Sequence, residues 1–162
     1  SYEILATDED VEKIIEFAKR NKPNDKQFVY RLGFVVRNVA IRTSDAQKFL
    51  GMLENAFKSA PKEISEGLEK CYFLALMECG DANAFMALAK KVADGKAGKI
   101  EISQLAPFAK RLTRDNWRRM PDHQKCEQLV SDMIAGAKCG EAEKSALEKS
   151  LGYIKNRGEE PR

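Results

Sequence analysis

Among 162 residues there is one histidine, His123, and one tryptophan, Trp117, with only five prolines and ten glycines. A lone histidine, with no glycine-rich phosphate loop before a helix and no nucleophile elbow, leaves no constellation for acid–base or nucleophilic catalysis. So few prolines and glycines exclude a low-complexity or linker-rich chain. No apolar run approaches the roughly 18–20 residues that a membrane span needs. Ser1 to Asp10 carry neither a secretory nor an Arg-rich transit pattern. Nowhere do apolar and polar residues alternate over the length of a strand. The cysteines are Cys71, Cys79, Cys126 and Cys139. Their gaps match no zinc spacing, and each lies in or at the end of an apolar helical pattern, where a free thiol behaves as a small hydrophobe. The expectation is a non-enzymatic intracellular protein with reduced thiols, no metal and no cofactor.

What the chain does have is helical spacing. Hydrophobic residues make up 43% and charged residues 33%, the balance of a globular protein with a solvated surface. Thr7 followed by Asp8, Glu9 and Asp10 predicts a capped helix start, because a hydroxyl accepts from free amides and acids suit the positive helix end. Apolar stripes follow at Val11/Ile14/Ile15/Ala18, Phe28/Leu32/Val35/Val36/Val39, Phe49/Leu53/Ala56/Phe57, Ile64/Leu68/Cys71/Tyr72/Ala75 and Phe85/Leu88/Ala89/Val92. Three more run through Ile102/Leu105/Ala109/Leu112, Cys126/Leu129/Val130/Met133/Ala137 and Leu147/Leu151/Ile154. Eight helices and no strand are predicted.

The stripes repeat. Ser44-Asp45-Ala46-Gln47-Lys48-Phe49-Leu50 lies over Gly80-Asp81-Ala82-Asn83-Ala84-Phe85-Met86 at an offset of 36 residues. The same offset puts Leu32 on Leu68, Val36 on Tyr72 and Val39 on Ala75. A third copy takes Leu68 to Leu105 at 37 residues and Phe85 to Cys126 at 41, with an insertion in the segment from Arg114 to Pro121. Tandem helical hairpins that bury their stripes on one another form a solenoid. The predicted fold is an all-α, short right-handed α-solenoid forming a single domain, 1–162. Residues 26–60, 61–98 and 99–139 are its hairpins, 1–25 an N-terminal capping helix and 140–157 a C-terminal one.

Phe85-Met86-Ala87-Leu88-Ala89, followed by Gln104-Leu105-Ala106-Pro107-Phe108-Ala109, resembles the alternating helices of octotricopeptide and heptatricopeptide repeat proteins of mitochondria and chloroplasts. The likeness covers roughly residues 26–137. Pentatricopeptide repeats are a poorer match, since their Tyr-Asn pair in the first helix is missing. The resemblance implies a role in RNA processing, stability or translation, in a mitochondrial or other organelle matrix; without it, a cytoplasmic location is expected. It assigns no base-reading position to this sequence.

Charge points to where binding would occur. Residues 87–125 hold ten Lys/Arg against four Asp/Glu, while the whole chain is only +3. Lys110, Arg111, Arg114, Arg118 and Arg119 surround Trp117, and cations with an interleaved indole suit a single-stranded RNA surface. The competing expectation is a protein-interaction scaffold with an exposed apolar patch around Tyr72, Phe73 and Met77. The segment from Asp94 to Gln104 has the glycine of a calcium loop but not its carboxylates, and is read as a plain turn.

Overall fold

The computed structural model describes residues 5–21, 26–114 and 122–157. Among them are eight α-helices and no strand: α1 (Asp8–Asn21), α2 (Lys26–Arg42), α3 (Ala46–Ser59), α4 (Lys62–Cys79), α5 (Ala82–Ala93), α6 (Lys99–Arg114), α7 (His123–Ala135) and α8 (Glu141–Lys155). Each coincides with a predicted stripe. None is long and apolar enough to cross a membrane.

The helix starts explain why the repeat is visible in the sequence. Asp45, Asp81 and Asp122 each sit at an N-cap, and their side chains accept from the amides of Lys48, Ala84 and Lys125. In each case the cap carbonyl also takes the first helical hydrogen bond, from Phe49, Phe85 and Cys126 respectively. Those three side chains are buried. One cap-and-anchor device therefore recurs at the offsets read from the sequence. At α1 the device differs: Thr7 N–H donates to Asp10 Oδ2 at 2.9 Å, and Asp10 N–H donates to Thr7 Oγ1 at 3.3 Å. Bonds from the Thr7 amide and then its hydroxyl hold the Asp10 carboxyl below its usual pKa. Replacing an N-cap aspartate removes one such bond, so Asp81→Ala is expected to cost about 1 kcal/mol. A urea-unfolding midpoint equal to wild type would show that the cap contributes nothing.

The chain divides into two compact units, Ser1–Gly80 and Asp81–Arg162. In the first, α2 packs most extensively on α4, and α3 on α4. Arg42 Nη2 donates to Ala6 O at 2.7 Å, joining the end of α2 to the start of α1, so these two helices are antiparallel. Ser65 Oγ donates to Phe57 O across the short α3–α4 connection. Along α2 and α4 the contacts run in step. A Cβ on Gly67 would meet Val29 Cγ2 at 2.8 Å, one on Gly33 would meet Leu74 Cδ1 at 3.0 Å, and Arg37 Nε bonds Glu78 Oε1 at 3.1 Å. The two helices are therefore parallel and their glycines permit close approach. The core joins Val11 and Ile15 to Leu32, Val36, Phe49, Leu53, Leu68 and Cys71.

The second unit has the same plan. Phe85 and Phe108 meet edge to face at 5.9 Å, and Lys91 reaches Glu101 at 2.7 Å, which aligns α5 and α6 antiparallel. Helix α6 packs on α8, and α7 on α8. Lys138 N–H donates to Ala93 O at 2.9 Å, tying the segment that follows α7 to the last residue of α5.

This packing is compatible with helical hairpins that stack, but it sets their phase. The pairs are α1/α2 and α3/α4 in one unit, α5/α6 and α7/α8 in the other. Helices α1 and α8, expected as caps at 1–25 and 140–157, each complete a hairpin. The expected hairpin 61–98 spans the boundary between the units. A periodic pattern reads the same wherever it is cut, so periodicity alone cannot choose which neighbours pair.

Candidate nucleic-acid interface

The C-terminal half of α6 carries the described part of the predicted basic site. Its buried stripe, Leu105, Phe108, Ala109 and Leu112, faces the core of the second unit. One helical turn separates Lys110 from Arg114, so both project from the same side, with Arg111 on the flank. Lys110 is half-buried and its Nζ stands 5.6 Å from the Tyr153 ring centroid on α8, a cation–π contact that orients the ammonium. Arg111 is half-buried, and Arg114 is exposed. Thr113, between them, is buried and turns its hydroxyl back to Ala109 O at 2.8 Å, which spares it a buried unpaired oxygen. Arg111 and Arg114 also occupy the last turn, where cations complement the helix dipole.

The structure thus brings Lys110, Arg111 and Arg114 together. Trp117, Arg118 and Arg119 lie outside the described residues. Asp122, the acid that follows these arginines in the sequence, is engaged as the N-cap of α7 through Lys125 N–H at 3.0 Å. The positive balance belongs to this unit as a whole. Asp81–Arg162 holds sixteen Lys/Arg against twelve Asp/Glu, whereas Ser1–Gly80 holds twelve against thirteen.

The expected apolar patch does not form around Tyr72, Phe73 and Met77. Phe73 is buried, while Tyr72 is half-buried between Phe57 at 5.3 Å and Phe73 at 5.2 Å. Met77 is half-buried too. Because α4 is covered by both α2 and α3, most of its circumference is used in packing. Three of the seven large apolar residues exposed among the described residues stand on α2 instead: Tyr30 is 65% exposed, Phe34 53% and Ile41 58%; the others are Leu5, Phe17, Leu74 and Leu129. A signal for them was present. All three α2 residues fall off its buried stripe, on a helix with four cations and no acid.

Two of the thiols are poor nucleophiles, and the carboxylate nearest the glycine-rich turn is engaged. Burial pushes the Cys71 thiol up to about 12. Burial, and then the nearby Asp122 charge, raises that of Cys126. Neither is a ready nucleophile at neutral pH. All four cysteines are free thiols. Glu101, the carboxylate nearest the glycine-rich turn, accepts from Lys91 and from Gly98 N–H at 3.1 Å. Among the described residues no group of His, Cys, Asp and Glu is arranged to hold a metal. No protein-family model, curated protein or solved structure matches the chain.

Proposed function

We propose that this protein is a non-catalytic module that binds single-stranded RNA, an accessory factor in RNA processing or stability. The observation that carries the reading is the shared face of Lys110 and Arg114 at the end of α6, flanked by Arg111. That face leads directly into the sequence Asp115-Asn116-Trp117-Arg118-Arg119. Cations spaced one helical turn apart match a phosphate backbone, and an indole next in sequence offers a base a stacking surface. The likeness to organellar helical-repeat proteins points the same way and adds a mitochondrial or plastid setting. The scaffold alternative has less support, since Phe73 and Tyr72 are used in packing.

The test is RNA affinity as a function of salt for the wild-type chain and for the triple variant R114E/R118E/R119E. For wild type, log affinity should fall linearly with log salt. The variant should bind more weakly at low salt, with a slope shallower by about 0.7 for each phosphate left unneutralised. Unchanged binding by the variant would remove this site from the proposal. Wild-type binding to protein partners that survives nuclease, with none to RNA, would replace RNA by a protein.

A further inference from the structure

Helix α2 carries an exposed stripe of which the fold uses only Arg37 and the α6 site nothing. Lys26, Tyr30, Phe34, Arg37 and Ile41 fall at intervals of four, four, three and four residues, and so lie along one side of the helix over roughly 22 Å. That side is opposite Leu32, Val36 and Val39, which are buried. All five residues are exposed. In the middle, the rings of Tyr30 and Phe34 meet edge to face with centroids 5.1 Å apart, an arrangement that holds two aromatic surfaces in place in water. Arg37 is fixed from the other side by Glu78 at 3.1 Å, and Leu74 is seated against Gly33 alongside. Arg31 is exposed on the flank. The helix has four cations and no acid; Arg37 is paired with Glu78 and Arg42 bonds Ala6 O, so the charges offered to an anionic ligand are those of Lys26 and Arg31.

Position in the repeat gives a second, independent reason. Offsets of 36 and then 37 residues carry Leu32 to Leu68 and Leu105. The same shift carries the α2 stripe onto Lys99, Ser103, Pro107, Lys110 and Arg114 of α6. Two members of the proposed RNA face thus stand at the repeat positions of Arg37 and Ile41. Both stripes open with a lysine and have a cation at the fourth place, and neither contains an acid. What α2 adds is the aromatic pair.

We infer that Tyr30 and Phe34 form a second RNA-contact site, a platform on which unpaired bases of single-stranded RNA stack, with Lys26 and Arg31 serving the adjoining phosphates. The inference rests on the RNA reading of α6, but it concerns a different kind of contact. Stacking is sequence-tolerant, because every base has a π-face, and it depends little on salt. Phosphate contacts depend steeply on salt. The α2 site would act chiefly through stacking, and the α6 site chiefly through charge. A protein ligand would have to place its own anions against the same cations, and the exposed aliphatic residues Ile41 and Leu74 lie beside the aromatic pair rather than at the centre of the stripe.

The experiment uses the full chain and a short fluorescein-labelled single-stranded RNA of mixed sequence, followed by anisotropy between about 50 and 200 mM salt. Y30A/F34A should lose roughly tenfold or more in affinity at every salt concentration while keeping the wild-type slope. Y30F/F34Y, which preserves both rings, should bind as wild type. Both residues are exposed, so circular dichroism and the urea midpoint should be unchanged in either variant. Wild-type affinity for RNA in Y30A/F34A, with the α6 reversal still weakening binding, would overturn the platform alone. A wild-type chain that binds no RNA would overturn both proposals. Loss of a nuclease-resistant protein partner by Y30A/F34A, with RNA binding intact, would reassign the stripe to protein docking.

Discussion

Replacing Phe85 by alanine is expected to lower the unfolding free energy by about 3–5 kcal/mol, the usual cost of emptying a fully buried aromatic site. Phe85 has no exposed surface, and neither has its partner Phe108. Two effects contribute. The missing ring no longer removes apolar area from water, and the edge-to-face pair with Phe108 at 5.9 Å disappears, itself worth about 0.5–1.5 kcal/mol beyond area. The cavity would be hard to collapse, because Phe85 stands in the first turn of α5, immediately after a cap fixed by Asp81. Urea unfolding of F85A, F108A and the double variant measures both quantities. The double variant should be less damaged than the sum of the singles, because the pair can be removed only once. A single-variant loss below about 1 kcal/mol would mean that the site closes over the gap, and that α5 is not anchored there. At the repeat-equivalent Cys126 the side chain is smaller, and Cys126→Ala should cost correspondingly less.

The next largest effect is expected at Gly95. Its φ is +71°, a left-handed conformation that costs a side-chain-bearing residue about 1–2 kcal/mol. A Cβ there would also lie 2.8 Å from Lys138 O. That oxygen is backbone, and the amide of the same residue is bonded to Ala93 O at 2.9 Å, so the carbonyl cannot retreat without disturbing the tie to the end of α5. Strain and overpacking together give an expected loss of about 3 kcal/mol for Gly95→Ala. Gly33 is the contrasting case. Its tight neighbour is the end of the Leu74 side chain, which can rotate, and alanine gains about 1 kcal/mol of helix propensity over glycine. Gly33→Ala should therefore be close to neutral. Thermal or urea unfolding of the two variants side by side tests the contrast, and equal losses would contradict it.

Most of the secondary structure was legible in the sequence, and for a definite reason. Stripes such as Phe49/Leu53/Ala56 repeat at the helical period, and Asp45, Asp81 and Asp122 announce the helix starts by a side-chain bond that reaches only three residues along. Such signals are local, so one sequence suffices to read them. The basic site was legible as a cluster of charge, and Lys110, Arg111 and Arg114 do share the end of one helix. The Lys110–Tyr153 contact was not legible, because it joins residues 43 positions apart that meet only when α6 packs on α8. The side of α2 that carries Tyr30 and Phe34 was legible, since both fall off the stripe of Leu32, Val36 and Val39; that they stay exposed was not, because it depends on how α2 packs on α4.

The amino-acid sequence by itself determined that the chain is helical, which stretches form its helices to within a few residues, and that two hairpins' worth of pattern recurs at 36 residues. These follow from interactions within a turn or two of helix. Tertiary structure decided which helices pair, where the chain divides into units and which apolar side chains stay in water. Gly33 and Gly67 let α2 and α4 approach closely, and that approach leaves Tyr30, Phe34 and Ile41 on the uncovered side. A repeating pattern is indifferent to its own phase; only the long-range contacts of a packed core break that symmetry.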